Sequence, residues 1–183
     1  MDYLLSICVL CSIHISTASV NLALNKPAIQ SSTYQDYVAQ LVVDGNSTAD
    51  WTAKTCCHTG TNDPMPFWQV DLGESVTLQR FNITYRQLQT TRMSGFKLIV
   101  SNSSNDWGGG SGTLCHEETR PDPPYIQAIE CFVVGRYVTY HDPTTATGDP
   151  GPIIELCELE AFGKILNCNA SQSQLPHRGA KAV

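Results

Sequence analysis

Short runs in which apolar and polar residues alternate constrain this chain more than any other feature. Residues 81–85, 96–101 and 157–161 all follow this pattern. A period of two places the apolar side chains on one face of a strand. No window has the spacing of a long amphipathic helix, and the connecting segments are rich in Gly and Pro. The pattern predicts an all-β domain with the architecture of a β-sandwich.

The alternation changes phase once within an otherwise continuous strand pattern. Val76 and Leu78 keep the opposite phase to the run that begins at Phe81. This slip near Gln79 and Arg80 predicts a bulge or a bend. Segments 68–72 and 136–140 are predicted to be further short strands.

The chain is expected to have three parts. Residues 1–19 are interpreted as a signal peptide, because a short apolar run ends in small residues and lacks the ~20 residues that a bilayer span needs. Residues 20–163, roughly 145 residues, suffice for one domain with a sizeable core. Residues 164–183 are predicted to be a disordered tail or the stub of a linker. We therefore expect a secreted, extracellular protein that does not span the membrane.

The cysteines and the glycosylation motifs are consistent with secretion. Of the eight cysteines, Cys8 and Cys11 would leave with the signal peptide, so six remain. An even number in a secreted chain indicates disulfides, although six cysteines allow fifteen pairings and the sequence alone does not choose among them. Four sequons predict N-glycosylation. Their asparagines are Asn46, Asn82, Asn102 and Asn169.

The charge balance excludes one class of partner. The net charge is −6 with only 11 basic residues, and no run of Lys or Arg is present. A nucleic-acid partner is therefore not expected, because binding a phosphate backbone depends on clustered positive charge.

Two distant segments gather the residue types of a binding site. The segment Val43–His58 combines oxygen donors, two adjacent cysteines and a histidine, and Cys157 and Glu158 lie a hundred residues downstream. Oxygen donors suit calcium, and a distant cysteine suits a long-range disulfide. A zinc site from Cys56, Cys57, His58, Cys115 and His116 is an alternative, but adjacent cysteines lack the usual ligand spacing.

An enzyme has less support from the residues. No Gly-x-Ser-x-Gly motif is present for a nucleophilic serine. Glu158 and Glu160 lie on one strand at a spacing that a glycoside hydrolase could use, but nothing else in the chain supports that reaction.

Six short motifs follow one another along the chain. They are NLALNKPA at 21–28, VDGN at 43–46, CHT at 57–59, FWQVDLG at 67–73, GRYV at 135–138 and LCELE at 156–160. Taken in this order, they resemble the fucolectins (F-type lectins), the wider discoidin-like modules of coagulation factors, and the N-terminal module of invertebrate secreted proteins with multiple epidermal-growth-factor-like repeats. The resemblance covers residues 20–163 and implies an eight-stranded jelly-roll sandwich with its loops gathered at one end.

The resemblance also implies a structural calcium ion and two disulfides. The disulfides would be Cys56–Cys157 and Cys115–Cys131, which leaves Cys57 and Cys168 to pair with each other or, for Cys168, with a further module. Backbone carbonyls can serve as calcium ligands, so Leu41 and Cys157 are admissible. The implied ligands are Leu41, Asp44, Asn46, Thr55, Cys157 and Glu158.

Fucolectins bind their sugar through a histidine and two arginines, and His58, Arg86 and Arg92 match those positions. Leu88 stands where the family has an Asp, and the loop is one residue shorter. That Asp would orient a flexible guanidinium, so its loss predicts arginines with less support and altered specificity.

The expected function is a calcium-stabilised lectin with a role in recognition or innate immunity. Its partners would be fucosylated or other terminal glycans, including those on cell-surface glycoproteins, and a homo-oligomer would add avidity. One alternative is an adhesion module that keeps the fold but binds a protein, a glycosaminoglycan or a lipid. The other is the glycoside hydrolase considered above.

Overall fold

The computed structural model describes residues 20–107 and 110–165, and its strands form one antiparallel system. Three short 3-10 helices, Ala39–Val42, Trp51–Ala53 and Thr90–Met93, are the only helices in these residues. The predicted all-β class is confirmed. The strands are β1 (Val20–Asn21), β2 (Ala28–Gln30), β3 (Phe67–Tyr85), β4 (Lys97–Ser101), β5 (Thr113–Glu117), β6 (Ile126–His141) and β7 (Leu156–Ile165).

The two long strands, β3 and β6, each contribute to both layers of the sandwich. The first part of β3 pairs with β2 and with the last part of β6, which also pairs with β4. The second part of β3 pairs with β7 and with the first part of β6. A register break between Asp71 and Val76 separates the two parts. Seven strands are therefore present in the described residues instead of eight, because two predicted strands are joined in β3.

The predicted irregularity in β3 is confirmed. The pairing of β3 shifts register between Leu78 and Arg80 with both β6 and β7. Leu78 and Phe81 are both fully buried, although they are three residues apart. One extra residue thus turns the second apolar set toward the same core.

A single apolar core lies between the two layers. It includes Trp68 and Phe81 from the two parts of β3, and Phe96 stacks on Tyr140 with ring centroids 4.5 Å apart. The indole nitrogen of Trp68 donates to the carbonyl of Ala39 at 2.9 Å. This bond ties the 3-10 helix before the Val43–His58 segment to the core.

The long loops gather at one end of the sandwich, as the resemblance implies. Phe67 pairs with His141 and Tyr85 pairs with Leu156, so both ends of β3 and the end of β6 lie together. The middle of β3 lies at the opposite end, where the strand crosses between layers. Loops 31–66, 86–96 and 142–155 therefore meet above the same rim of the core.

Both implied disulfides are present in the structure. Cys56 is bonded to Cys157, and Cys115 is bonded to Cys131. The buried Cys57 pairs with no cysteine of the described part of the chain. Cys168 lies outside the described residues.

The zinc alternative is wrong. Two of its five ligands, Cys56 and Cys115, are oxidised in disulfides, and a disulfide sulfur is not a thiolate ligand. Within 20–107 and 110–165, no three His, Cys, Asp or Glu residues are grouped to hold a metal.

Some predictions fall outside the described residues. These are the signal peptide at 1–19, the glycosylation of Asn169 and most of the predicted tail. Strand β7 continues to Ile165, two residues past the predicted end of the domain. The helices that the structure describes are all too short or too polar to cross a bilayer.

Candidate functional site

The structure brings the three predicted sugar-binding residues together around one carboxylate, that of Glu155. Arg86 donates from Nη1 to Oε1 at 2.5 Å, and Arg92 donates from Nη1 to Oε2 at 2.6 Å. His58 Nε2 lies 3.5 Å from Oε1. The side chain of Glu155 is fully buried, whereas those of His58, Arg86 and Arg92 are 7%, 20% and 14% exposed. The carboxylate is thus covered, and its three partners are only slightly exposed to solvent.

A second carboxylate holds Arg92 from its other side. Asp149 accepts from Nε and Nη2 of Arg92, both at 2.7 Å. Burial opposes the charge of Arg92, but the bonds to Asp149 and Glu155 outweigh it and raise the pKa of Arg92 above its usual value. Arg92 is therefore a fixed cation that a carboxylate holds from each of two sides.

Aromatic rings surround His58 and Arg86. Trp51 stacks on Tyr37 with centroids 4.4 Å apart, and it meets His58 edge-on at 5.5 Å. Tyr34 lies 4.8 Å from the imidazole. The guanidinium of Arg86 lies 4.2 Å over the Trp51 ring, a cation–π geometry that fixes its plane.

The hydrogen bonds of His58 define the role of its free nitrogen. Nδ1 lies against the carbonyl oxygen of Thr59, and a carbonyl oxygen can only accept, so Nδ1 carries the hydrogen. Burial lowers the pKa of His58, which favours the neutral ring at pH 7. Nε2 of the neutral ring is then an acceptor. The site thus offers one acceptor between two cationic donors.

The backbone around Glu155 is also fixed. Its N–H donates to the hydroxyl of Tyr85 at 3.0 Å, and that hydroxyl donates to the carbonyl of Ile153 at 3.1 Å. The N–H of Arg86 donates to the carbonyl of Glu155 at 3.1 Å. The end of β3 and the start of β7 therefore hold the arginine and the carboxylate in register.

Three residues of this cluster, Glu155, Asp149 and Trp51, were not predicted from the sequence. The arginines were predicted to have less support because position 88 holds Leu; in the structure, Glu155 and Asp149 accept hydrogen bonds from them. Leu88 itself is 85% exposed. One signal for Glu155 was available: it is the only charged residue in the apolar run Ile153–Cys157. Asp149 lies in a Gly-Asp-Pro-Gly sequence that a turn explains equally well.

The predicted calcium ligands approach one another at the neighbouring loop. Glu158 Oε2 accepts from the N–H of Gly45 at 3.2 Å, which joins β7 to the Asp44–Asn46 turn. Asp44 Oδ1 accepts from the N–H of Asn46 at 2.8 Å. Thr55 donates to the carbonyl of Thr48 at 2.5 Å and closes the loop. Leu41 precedes this loop at the end of a 3-10 helix, and Cys157 precedes Glu158 on β7.

The environment of Glu158 suits a cation. Its Oε1 is buried and has no hydrogen-bond partner among the described residues. Burial first, and then the nearby Asp44 carboxylate, raise the pKa of Glu158 to about 8. Although Glu158 was predicted on the polar face of its strand, it is only 3% exposed, because the Asp44–Asn46 turn covers it. Two carboxylates that repel each other and one unsatisfied oxygen form a hard-oxygen donor set.

The described sequons differ in accessibility. Asn46 and Asn102 are exposed. Asn82 is half-buried and donates to Glu160 at 2.9 Å, so a glycan there would have to fit beside that carboxylate. A glycan on Asn46 would use the amide nitrogen and leave the side-chain oxygen, which accepts from the N–H of Thr48 at 3.2 Å, in place.

Comparisons with known proteins agree on one family. The model of the NedA-like, galactose-binding domain matches residues 41–140. Fucolectin-1 of Anguilla japonica is 31% identical over 121 residues, covering 64% of this chain and 64% of the relative. Fucolectin-4 of the same species is 31% identical over 157 residues, covering 76% and 78%. A crystal structure of an F-lectin from striped bass (Morone saxatilis) serum has a TM-score of 0.71 and 28% identity, covering 81% of this chain and 48% of that chain.

These relatives are lectins and not enzymes, which agrees with the prediction of a non-catalytic domain. The chain spans less than two thirds of the length of Fucolectin-1 and about half of the striped bass lectin.

Proposed function

Since the chain belongs to the fucolectin family of NedA-like galactose-binding domains, we propose that it is a calcium-stabilised lectin module for terminal fucosylated glycans. The observation that carries the proposal is the convergence of His58, Arg86 and Arg92 on the buried Glu155 carboxylate, with each of the three side chains partly accessible.

The polar groups suit a sugar hydroxyl. A hydroxyl can accept from a guanidinium and at the same time donate to Nε2 of the neutral His58. Arg86 and Arg92 can also donate to a ring oxygen, which only accepts. These donors are held in place before binding, so little ordering entropy is lost when the sugar arrives.

An apolar depression next to Arg86 suits the methyl group of a deoxy sugar. The depression has a volume of about 350 Å³ and is lined by residues 49–52 and 86–88, with the ring of Trp51 among them. Because Arg86 belongs to both the depression and the Glu155 cluster, one small sugar can contact both.

Binding of methyl L-fucoside and methyl L-galactoside tests this proposal, because the two differ only by a hydroxyl on C6. We expect the fucoside to bind about tenfold more tightly, since the added hydroxyl would lose its water beside Trp51. Trp51→Ala should remove this preference, whereas Phe132→Ala, at a 78% exposed ring on β6, should keep it. Isothermal titration and a glycan array provide the measurements. Failure of every fucoside to bind or compete would rule the proposal out.

The adhesion alternative loses its main support. That alternative depended on a missing carboxylate, which Glu155 supplies. The two arginines are balanced by Glu155 and Asp149 and the protein has a net charge of −6, so a sulfated glycosaminoglycan has little electrostatic attraction to the site. Saturable binding to a deglycosylated protein would restore this alternative.

We also propose calcium at the loop formed by Asp44, Asn46 and Thr55 against β7. The unsatisfied Oε1 of Glu158 and its repulsion by Asp44 support the assignment. Leu41 and Cys157 would contribute backbone carbonyls. The ion would neutralise the two carboxylates and stiffen the loop that leads to His58.

Calcium is expected to stabilise the domain by roughly 2.7 kcal/mol at a concentration about 100-fold above its Kd, which raises Tm by roughly 5–10 °C. Thermal unfolding with calcium and with a chelator measures this shift. Glu158→Gln should abolish it, whereas the control Glu160→Gln, two residues along the same strand, should retain it. An equal shift in both variants would place the ion elsewhere.

Secretion and an extracellular location complete the proposal. Two disulfides form and persist in an oxidising compartment, which supports export. Glycans on cell-surface glycoproteins are then accessible partners, in recognition or innate immunity, and self-association would add avidity to a shallow site.

A further inference from the structure

We propose that Glu155 is the positioning residue of the sugar site, and that it supplies from β7 the carboxylate that would otherwise come from the arginine loop at position 88. The inference rests on the proposed lectin function. It assigns no ligand contact to Glu155, because that side chain is fully buried.

Both oxygens of Glu155 are occupied by the residues that face the ligand. Oε1 accepts from Arg86 and faces His58 Nε2, and Oε2 accepts from Arg92. The two arginine bonds link the loop 86–92 to the start of β7 through one planar group. The spacing between the guanidinium tips is therefore set by the two oxygens of a single carboxylate.

Arg86 depends on Glu155 more than Arg92 does. Arg92 has Asp149 as a second carboxylate partner. Arg86 has no other acidic partner in the described residues, and its remaining support is the face of Trp51. Loss of the carboxylate should therefore release Arg86 while Arg92 stays partly held.

Position 88 offers a place from which the charge can be restored. Leu88 lies two residues after Arg86, lines the same depression and is 85% exposed, so an Asp there enters the site without displacing core atoms. We expect a carboxylate at position 88 or at position 155 to support Arg86, and in this chain the carboxylate lies at position 155.

The test removes the carboxylate at position 155 and introduces one at position 88. Glu155→Gln should weaken methyl L-fucoside binding at least tenfold, and Leu88→Asp in that background should restore affinity to within about threefold of the unmodified protein. Glu155→Asp, which keeps the charge on a shorter side chain, should lose less than Glu155→Gln. The control is Glu118→Gln, at a buried carboxylate paired with Arg120. It should reduce stability but leave affinity within twofold.

A measurement on the free protein separates this inference from the lectin function. Arginine Nε–H resonances in NMR spectra should show that Arg86 becomes mobile in Glu155→Gln, that Arg92 stays ordered, and that Leu88→Asp restores order to Arg86. An unmodified protein that binds no fucoside but shows this pattern would refute the lectin and support the positioning role. Unchanged order of Arg86 in Glu155→Gln, or a double variant that recovers neither order nor affinity, would refute the positioning role. If Glu155→Gln does not fold, Glu155→Asp gives the same readouts, and unchanged order and affinity in it would count against the role.

Discussion

Replacement of Arg92 by Ala is expected to abolish measurable fucoside binding and to lower the free energy of unfolding by about 3 kcal/mol. Among the described residues, Arg92 is the one cation that joins Glu155 to Asp149, with hydrogen bonds of 2.6 to 2.7 Å to the two carboxylates. Loss of a charged donor to the sugar alone costs roughly 2 kcal/mol of binding free energy. The accompanying disorder of the site brings the expected loss of affinity to about 100-fold or more.

The stability loss has a separate physical cause. Without Arg92, the fully buried Glu155 keeps only Arg86 as a cationic partner, and Asp149, which is 17% exposed, faces it across the gap. Burial of a carboxylate without adequate compensation is what makes breaking a buried ion pair costly.

Arg136→Ala provides a matched control. Arg136 forms the same two-bond arrangement with Asp71, at 2.7 and 2.8 Å, where β3 crosses between layers. Its side chain is 41% exposed, so solvent screens the pair and its removal should change stability far less. Urea unfolding and isothermal titration on both variants test the contrast. Equal destabilisation by the two variants would show that burial of the Arg92 pair does not matter.

The strands were predictable because the alternation that indicates them involves only neighbouring residues. The alternation at 81–85 and its slip after Leu78 are properties of neighbouring residues, and the structure reproduces both. The pattern also identifies the buried face of residues 81–85, whereas in β4 and β7 residues of the opposite face, Ile99 and Glu158, are buried as well. The joining of two strands within β3 was missed, because Gly73 resembles a turn in sequence but lies inside a continuous strand. The short strands β1, β2 and β5 and the first part of β6 were also not predicted.

The site was predictable only in part, because its contacts join residues that are far apart in the chain. The resemblance identified His58, Arg86 and Arg92, but their common partner lies more than sixty residues away from the two arginines in the chain. The sequence does not show that Glu155 lies beside Arg86, because the two residues meet only when the end of β3 pairs with the start of β7. Asp149 was missed for a similar reason, because its turn sequence does not indicate that the carboxylate faces Arg92.

Removal of the Cys56–Cys157 disulfide is the second large effect. The bond closes a loop of 101 residues, whereas Cys115–Cys131 closes one of 16 residues. Loop entropy predicts a loss of roughly 4.7 kcal/mol for the long loop and about 3 kcal/mol for the short one. Both partners should be changed to Ala together, because Cys57 lies next to Cys56 and could otherwise take its place.

The two disulfides should also differ in their effect on the sugar site. Cys56 lies two residues before His58, and Cys157 lies two residues after Glu155, so this bond holds the acceptor of the site against its carboxylate. Cys56→Ala/Cys157→Ala is therefore expected to lose fucoside binding along with stability. Cys115→Ala/Cys131→Ala, between β5 and β6, should lose stability but retain affinity. Urea unfolding and titration of the two double variants measure both effects. Equal affinity in the two variants would mean that the strands alone, through the bonds of Tyr85 to Glu155, hold the site together.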